Sequence, residues 1–265
     1  MTKYFVVSDV HSFYDAMIDA LNKQGFDIEN PDHKVIVCGD LFDRGPDTVK
    51  CFEFCSALNE ADRLIYICGN HEDLLFQCVH ELLQFRYIKS HHSHNGTVDT
   101  IAQITGINKY DLMNGVFNEH DLLDKLMPLM DFITYNTYDY VVIGDYVFVH
   151  GWIPCKMERI SYATTKFAYD PEWEKGDWAK ARWTNGIEAA FRGAIIPDKT
   201  VVCGHFHCSY GWSKVKMERK EFPSKSRSDW AKSFEIYTND GIIALDACTA
   251  FSGFVNCWTL EVDDE

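Results

Sequence analysis

Three short apolar runs punctuate the first seventy residues: YFVVSD, KVIVCGD and RLIYICGN. Each is β-branched or aromatic and stops at small or polar residues, the pattern of a buried strand. Between them, 13–24 and 46–59 suit helices laid over a sheet. The order predicts a βαβαβ unit with a parallel sheet and right-handed crossovers. EDLLFQCVHELLQF then places Leu74, Leu75, Cys78, Val79, Leu82 and Leu83 at helical spacing, giving one apolar face.

The pattern weakens over 89–137. SHHSHNGTVDTIAQITG and a faint helical stretch at 119–130 read as an insertion covering one end of the sheet. A hairpin follows, YDYVVI and YVFVHG joined at Gly144-Asp145. Residues 152–199 are loop-rich, with several Trp. TVVCG, GIIALDA and FVNCWTLEV close the chain as strands. No repeat, low-complexity segment or composition break divides it, so residues 1–265 read as one domain with an elaborated face.

Composition narrows the setting. At 265 residues, 46% apolar and 25% charged, the chain matches an average globular protein. Ten cysteines include no Cys-x-x-Cys pair, and Cys38, Cys68 and Cys203 lie inside apolar runs. MTKYFVVSDVHS enters a strand with no signal peptide, and no apolar run reaches membrane-spanning length. These features imply a reducing cytoplasm and no membrane partner. A formal net charge of -15 argues against duplex nucleic acid, which needs a basic footprint. The segment 213–232 runs the other way, with seven Lys or Arg against three acids, and reads as a solvated loop.

The candidate chemistry sits where the strands stop. The ends read Ser8-Asp9-Val10-His11, Gly39-Asp40, Gly69-Asn70-His71-Glu72, His150-Gly151 and Gly204-His205-Phe206-His207. In open α/β sheets the functional crevice lies at the carboxyl ends of strands. Any one of these endings has a bland reading as a turn, a helix cap or a core His. Five in a row do not. Oxygen and imidazole donors without thiolate suit Mn, Fe or Zn, and their number exceeds the needs of one ion.

The ordered set SDVH, GDLFDRG, GNHE, VHG and GHFH resembles the calcineurin-like metallophosphoesterases. GDLFDRG and GNHE narrow the resemblance to the phosphoprotein phosphatase branch, which holds Ser/Thr protein phosphatases and symmetrical diadenosine tetraphosphatases. The resemblance runs from residue 6 to about 207 and implies a four-layer α/β/β/α sandwich with mixed sheets. Two departures stand out. Ser8 and Ser12 replace glycines of the usual Gly-Asp-x-His-Gly, and ICGNHE replaces the eukaryotic LRGNHE, which favours a bacterial or phage-type enzyme.

Position by position, the resemblance implies that Asp9 and His11 hold a first metal, Asp40 bridges, and Asn70, His150 and His205 hold a second. His207 is a further ligand candidate for the first metal. Two divalent ions, manganese first with iron or zinc as alternatives, would generate an attacking hydroxide between them. Arg44 would bind the phosphoryl group, with Asn70 and either Arg182 or Arg192 beside it. His71 would protonate the leaving group, oriented by Asp43. Asn95-Gly96 resembles a motif near the pocket of bacterial members.

The leading expectation is therefore a phosphatase acting on phosphoserine or phosphothreonine in proteins, or on a small phosphorylated substrate. A dinucleoside polyphosphate hydrolase is the alternative. A nuclease is disfavoured by DRG and by the charge, and a non-catalytic scaffold by the intact donor set.

Overall fold

The computed structural model describes residues 1–161, 164–218 and 233–263. The first three apolar runs become β1 (Thr2–Val7), β2 (His33–Cys38) and β3 (Leu64–Ile67), paired in parallel as the pattern predicts. Two-residue β4 (Thr137–Tyr138) extends the parallel side, and β12 (Cys257–Val262) adds to β1 antiparallel. The sheet order is β12-β1-β2-β3-β4.

A second five-stranded sheet has the order β10-β11-β9-β6-β5. Its strands are β5 (Val141–Ile143), β6 (Tyr146–Phe148), β9 (Thr200–Cys203), β10 (Tyr237–Asn239) and β11 (Ile242–Ala244). β6, β9 and β11 are parallel, and the predicted hairpin pairs Ile143 with Tyr146.

Strand alternation builds the layers. Val6, Ile36, Cys38 and Ile67 meet Phe148, Val202, Ile243 and Leu245 between the two sheets. Phe5, Val7, Val35 and Val37 point the other way, onto α1 (Tyr14–Lys23), α2 (Thr48–Glu60) and α3 (Asn70–Phe85) through Met17, Leu21, Cys51, Cys55 and Leu75. Across the molecule, Val147, Val201 and Cys203 pack on Trp152, Trp173, Trp178 and Ile187. The result is helices, sheet, sheet, helices, with both sheets mixed.

Residues 89–137 fold as α4 (Ser90–Asn95), α5 (Thr97–Thr105), α6 (Lys109–Met113) and α7 (Glu119–Asn136). α7 runs on to Asn136, past the predicted end and through Pro128. A proline inside a helix removes one hydrogen bond, and here Leu122, Leu126, Leu129, Phe132 and Ile133 bury a stripe on both sides of it. Residues 152–199 hold more structure than their sequence predicts: a hairpin of β7 (Lys156–Ser161) and β8 (Thr164–Ala168), and helices α8 (Trp178–Ala181) and α9 (Gly186–Phe191). KMERIS and TTKFA carry too few apolar residues for a strand signal.

Within the basic segment 213–232, residues 213–218 end α10 (Cys208–Glu218), and 219–232 lie outside the described residues. The ten cysteines are free thiols, most of them buried. Among the described residues, no helix is long and apolar enough to cross a membrane.

Candidate metal centre

The carboxyl ends of β1, β2 and β3 in one sheet and of β6 and β9 in the other converge on one edge of the sandwich. Asp9, His11, Asp40, Asn70, His71 and His150 are each no more than 4% exposed. His150 ties the sheets together, its Nδ1 donating to the Cys38 carbonyl at 2.8 Å. His11 Nδ1 lies 3.0 Å from the Phe42 carbonyl. Both contacts set the tautomer and leave Nε2 as the inward-facing atom.

Two donor sets form there, each with its ligand atoms within 4.8 Å of one another: His11, Asp40 and His71, and Asp40, His150 and His205. Asp40 belongs to both. Asn70 Oδ1 adjoins the second set, 2.8 Å from His150 Nε2. Asp9 stands beside the centre, its Oδ2 accepting from the Ser8 hydroxyl (2.5 Å) and from the His205 N–H (2.9 Å). The Ser8 hydroxyl also lies 2.9 Å from the Cys38 carbonyl. Ser8 thus gives the Asp9 carboxylate a fixed partner that a glycine would lack.

The electrostatics ask for positive charge. Burial pushes Asp9 up to about 6, although His150 pulls the other way. Burial also disfavours charge on Asp40, but His150 and His71 outweigh it and hold that carboxyl well below its ordinary range. Burial lowers His150 while Asp40 raises it, and the carboxylate wins, lifting it to about 10. His205 goes the other way, down to about 3, through burial and the neighbouring His150. A proton on His150 thus offsets the buried carboxylates, the role a divalent ion fills in such a cage.

The loops that deliver these groups are strained. Asp9, His11, Asp40, Asp43, Arg44 and His205 all have φ between 51° and 76°, a region few side chains adopt. Gly204 shows how tight the packing is. A Cβ there would lie 1.9 Å from Ser8 Oγ and 2.1 Å from Asp9 Oδ2.

His71 and Asp43 pair, Nδ1 to Oδ2 at 2.7 Å. Arg44 reaches over the open side, with Nη1 2.7 Å from His11 Nε2 and Nη2 3.1 Å from His71 Nε2. Gly96 packs on the Arg44 backbone, which sets the Asn95-Gly96 turn against the loop that carries Arg44. His207 lies further out, 47% exposed, its Nε2 3.9 Å from Asp246 Oδ2. Neither donor set includes it.

The structure places the two other candidate arginines, Arg182 and Arg192, in ion pairs. Arg182 donates from Nη1 to both oxygens of Asp73 (2.9 and 2.8 Å) and from Nη2 to Asp139 (2.6 Å). Arg192 donates to Glu188 at 2.8 Å.

Several contributors have no sequence signal. Glu72 accepts the backbone N–H groups of Asp40 (3.0 Å), Leu41 (3.0 Å) and Gly69 (2.7 Å), and the Tyr66 hydroxyl (2.6 Å). Asp246 is a further buried carboxyl, raised well above its ordinary value by burial and by Asp9. Glu72 lies inside the quoted GNHE, where its acidity at a helix start looks like ordinary capping.

His, Asp and Asn donors, buried, preset in tautomer and short of positive charge, fit a divalent metal centre around Asp40.

The calcineurin-like phosphoesterase family matches the chain over residues 2–236. A protein of Bacillus subtilis (strain 168) named bis(5'-nucleosyl)-tetraphosphatase PrpE, asymmetrical, is 29% identical over 136 residues, covering 49% of this chain and 52% of its own length. Its namesake in Bacillus velezensis is 28% identical over 156 residues, covering 57% and 56%. The chain therefore spans about half the length of the curated relatives it matches. A solved cold-active protein-tyrosine phosphatase from a psychrophilic Shewanella aligns over 98% of this chain and 76% of its own, at 15% identity and a TM-score of 0.48.

Proposed function

Because this chain belongs to the calcineurin-like phosphoesterase family, whose members are hydrolases with a divalent metal centre, we infer that it hydrolyses phosphomonoesters. Phosphoserine and phosphothreonine in proteins are the proposed substrate class. The observation that carries this is the sharing of Asp40 between two donor sets, one of which includes His71, itself paired with Asp43.

We assign Asp9, His11 and Asp40 to one ion and Asp40, Asn70, His150 and His205 to the other, with manganese first and iron or zinc as alternatives. His207 is an additional ligand candidate on the side of the first ion. Bound divalent ions supply Lewis acidity, acidifying water and neutralising phosphoryl charge.

The chain's own residues do the rest. Arg44 offers a planar donor fork to the phosphoryl oxygens. Its Nη2 lies 3.1 Å from His71 Nε2, so a phosphoryl group held by this fork would sit beside the imidazole and take the place of that contact. Asp43 holds the far nitrogen of His71, so Nε2 faces the cleft. Burial lowers His71, but Asp40 and Asp43 outweigh it and raise it, which favours the protonated ring that the proposed donation needs. No covalent intermediate is required, and the buried thiols stay out of the reaction. We place the protein in a reducing cytoplasm, and read residues 1–265 as one domain.

A dinucleoside polyphosphate is the second reading, favoured by the names of the Bacillus relatives. A tetraphosphate chain brings several charges. Among the described residues, Arg44 is the arginine that hydrogen-bonds into the centre, while Arg182 is already neutralised by two carboxylates. That balance favours a single phosphoryl group. Turnover of a phosphoserine peptide against diadenosine tetraphosphate, with manganese, separates the readings. Cleavage of the dinucleotide alone overturns the first. ATP and AMP, rather than two ADP, would mark asymmetric cleavage.

A further inference from the structure

We propose that α5 is a clamp that positions the His71–Asp43 pair, with Thr97 and Thr100 as its positioning residues. The inference rests on the reading of His71 as proton donor.

Each oxygen of the Asp43 carboxylate is engaged by a threonine. Thr100 Oγ1 donates to Oδ1 at 2.7 Å and accepts the Asp43 N–H at 3.0 Å. Thr97 Oγ1 donates to Oδ2 at 2.9 Å, the oxygen that also pairs with His71 Nδ1. Both threonines are fully buried, and Asp43 is 1% exposed. Thr97, Thr100 and Gln103 are spaced three apart on one helix face. Gln103 continues the row, its Nε2 donating to the Gly45 carbonyl and its Oε1 accepting the Thr48 N–H, each at 2.9 Å. One face of α5 thus grips the chain from Asp43 to Thr48.

That grip matters because Asp43 and Arg44 sit in left-handed backbone, φ 76° and 63°. Such residues keep that conformation only where their surroundings over-determine it. Gly96 lets the helix come close enough. It has φ 86°, and a Cβ on it would lie 2.2 Å from the Arg44 nitrogen. The carboxylate, with both oxygens held, cannot rotate away from the imidazole.

The consequence concerns leaving groups. Proton donation matters greatly for an alkoxide and little for a nitrophenolate, which leaves without help. Loosening Asp43 should therefore slow a serine phosphate more than an aryl phosphate. A general loss of structure would slow both alike.

The test measures kcat and KM for a phosphoserine peptide and for p-nitrophenyl phosphate on the manganese-loaded protein. His71→Ala is the benchmark, expected to lose on the order of 10²–10⁴-fold with the peptide and much less with the aryl ester. Thr97→Val/Thr100→Val keeps the side-chain shape and removes both hydroxyls. It should lose about 10–100-fold in peptide kcat, with less loss on the aryl ester and KM little changed. Thr97→Ser/Thr100→Ser restores the hydroxyls and should come back to within about threefold of the parent. If the double valine chain does not fold, Thr97→Val alone makes the same comparison, since Thr100 keeps its backbone contact. Equal loss on both substrates, or no rescue by serine, overturns the clamp while His71→Ala keeps its bias. Absence of bias in His71→Ala overturns the proton-donor reading and the clamp together.

Discussion

Glu72 holds Asp40 by the backbone. Its Oε2 accepts the Asp40 N–H at 3.0 Å, and Oε1 takes that of Leu41 at the same distance. The strained turn that delivers the shared carboxylate is therefore built on a second carboxylate, from the first turn of α3. Glu72 is 1% exposed.

Removing that support should be severe. Glu72→Ala leaves three backbone N–H groups and a tyrosine hydroxyl without their acceptor, and each buried orphan costs about 1–3 kcal/mol. The expected loss of stability is at least about 3 kcal/mol in urea unfolding, with weakened manganese binding. Glu72→Gln keeps one acceptor oxygen and should fall between the two. A Glu72→Ala protein as stable as the parent contradicts the assignment.

Arg44 and Arg182 should separate in their effects. Arg44→Ala removes a charged donor fork facing the cleft, and such bonds contribute about 1.5–3 kcal/mol, so KM should rise roughly 10- to 100-fold. Arg182→Met removes the partner of Asp73 and Asp139 instead. It should lower stability by about 1–3 kcal/mol, with a smaller change in KM. Comparing melting temperature and KM for the two variants checks both. A larger KM effect from Arg182 would restore it as a phosphate ligand.

Acid stability should carry the mark of Glu188. Burial alone would raise it, but Lys214, Arg192 and Tyr210 bond its carboxylate and pull it from 4.5 down to about 2. A depressed carboxyl stabilises the fold above its unfolded value and loses that effect as pH falls through the folded one. The pH-dependent part of the difference in unfolding free energy between the parent and Glu188→Gln should thus be full at pH 6, smaller at pH 3, smaller again at pH 2 and lost only below it. A difference that does not shrink on acidification rules the network out.

The sequence announces the donors because strands of period two end at one edge, and polar residues at five such ends cannot all be chance. Parallel β1–β3 and the hairpin at Gly144-Asp145 were legible for the same reason. What holds the donors was not. Thr97 and Thr100 sit in a helix whose pattern is ordinary, and nothing in TVDTIAQIT says that its hydroxyls meet Asp43, over fifty residues earlier. Glu72 was hidden inside a motif, where it reads as a helix-start acid. Left-handed backbone at Asp9, Asp40 and His205 is invisible too, since strain is imposed by tertiary contacts rather than local preference. The β7–β8 hairpin escaped because its residues are mostly polar.

The central claim is that one carboxylate, Asp40, organises a metal centre that hydrolyses phosphomonoesters. The most direct measurement is manganese-dependent turnover of a phosphoserine peptide by the parent protein and by Asp40→Asn, which keeps size and removes charge. The parent should turn over only with metal, and Asp40→Asn should lose at least about 10²-fold. Undiminished turnover in Asp40→Asn, or metal-independent turnover in the parent, would contradict it.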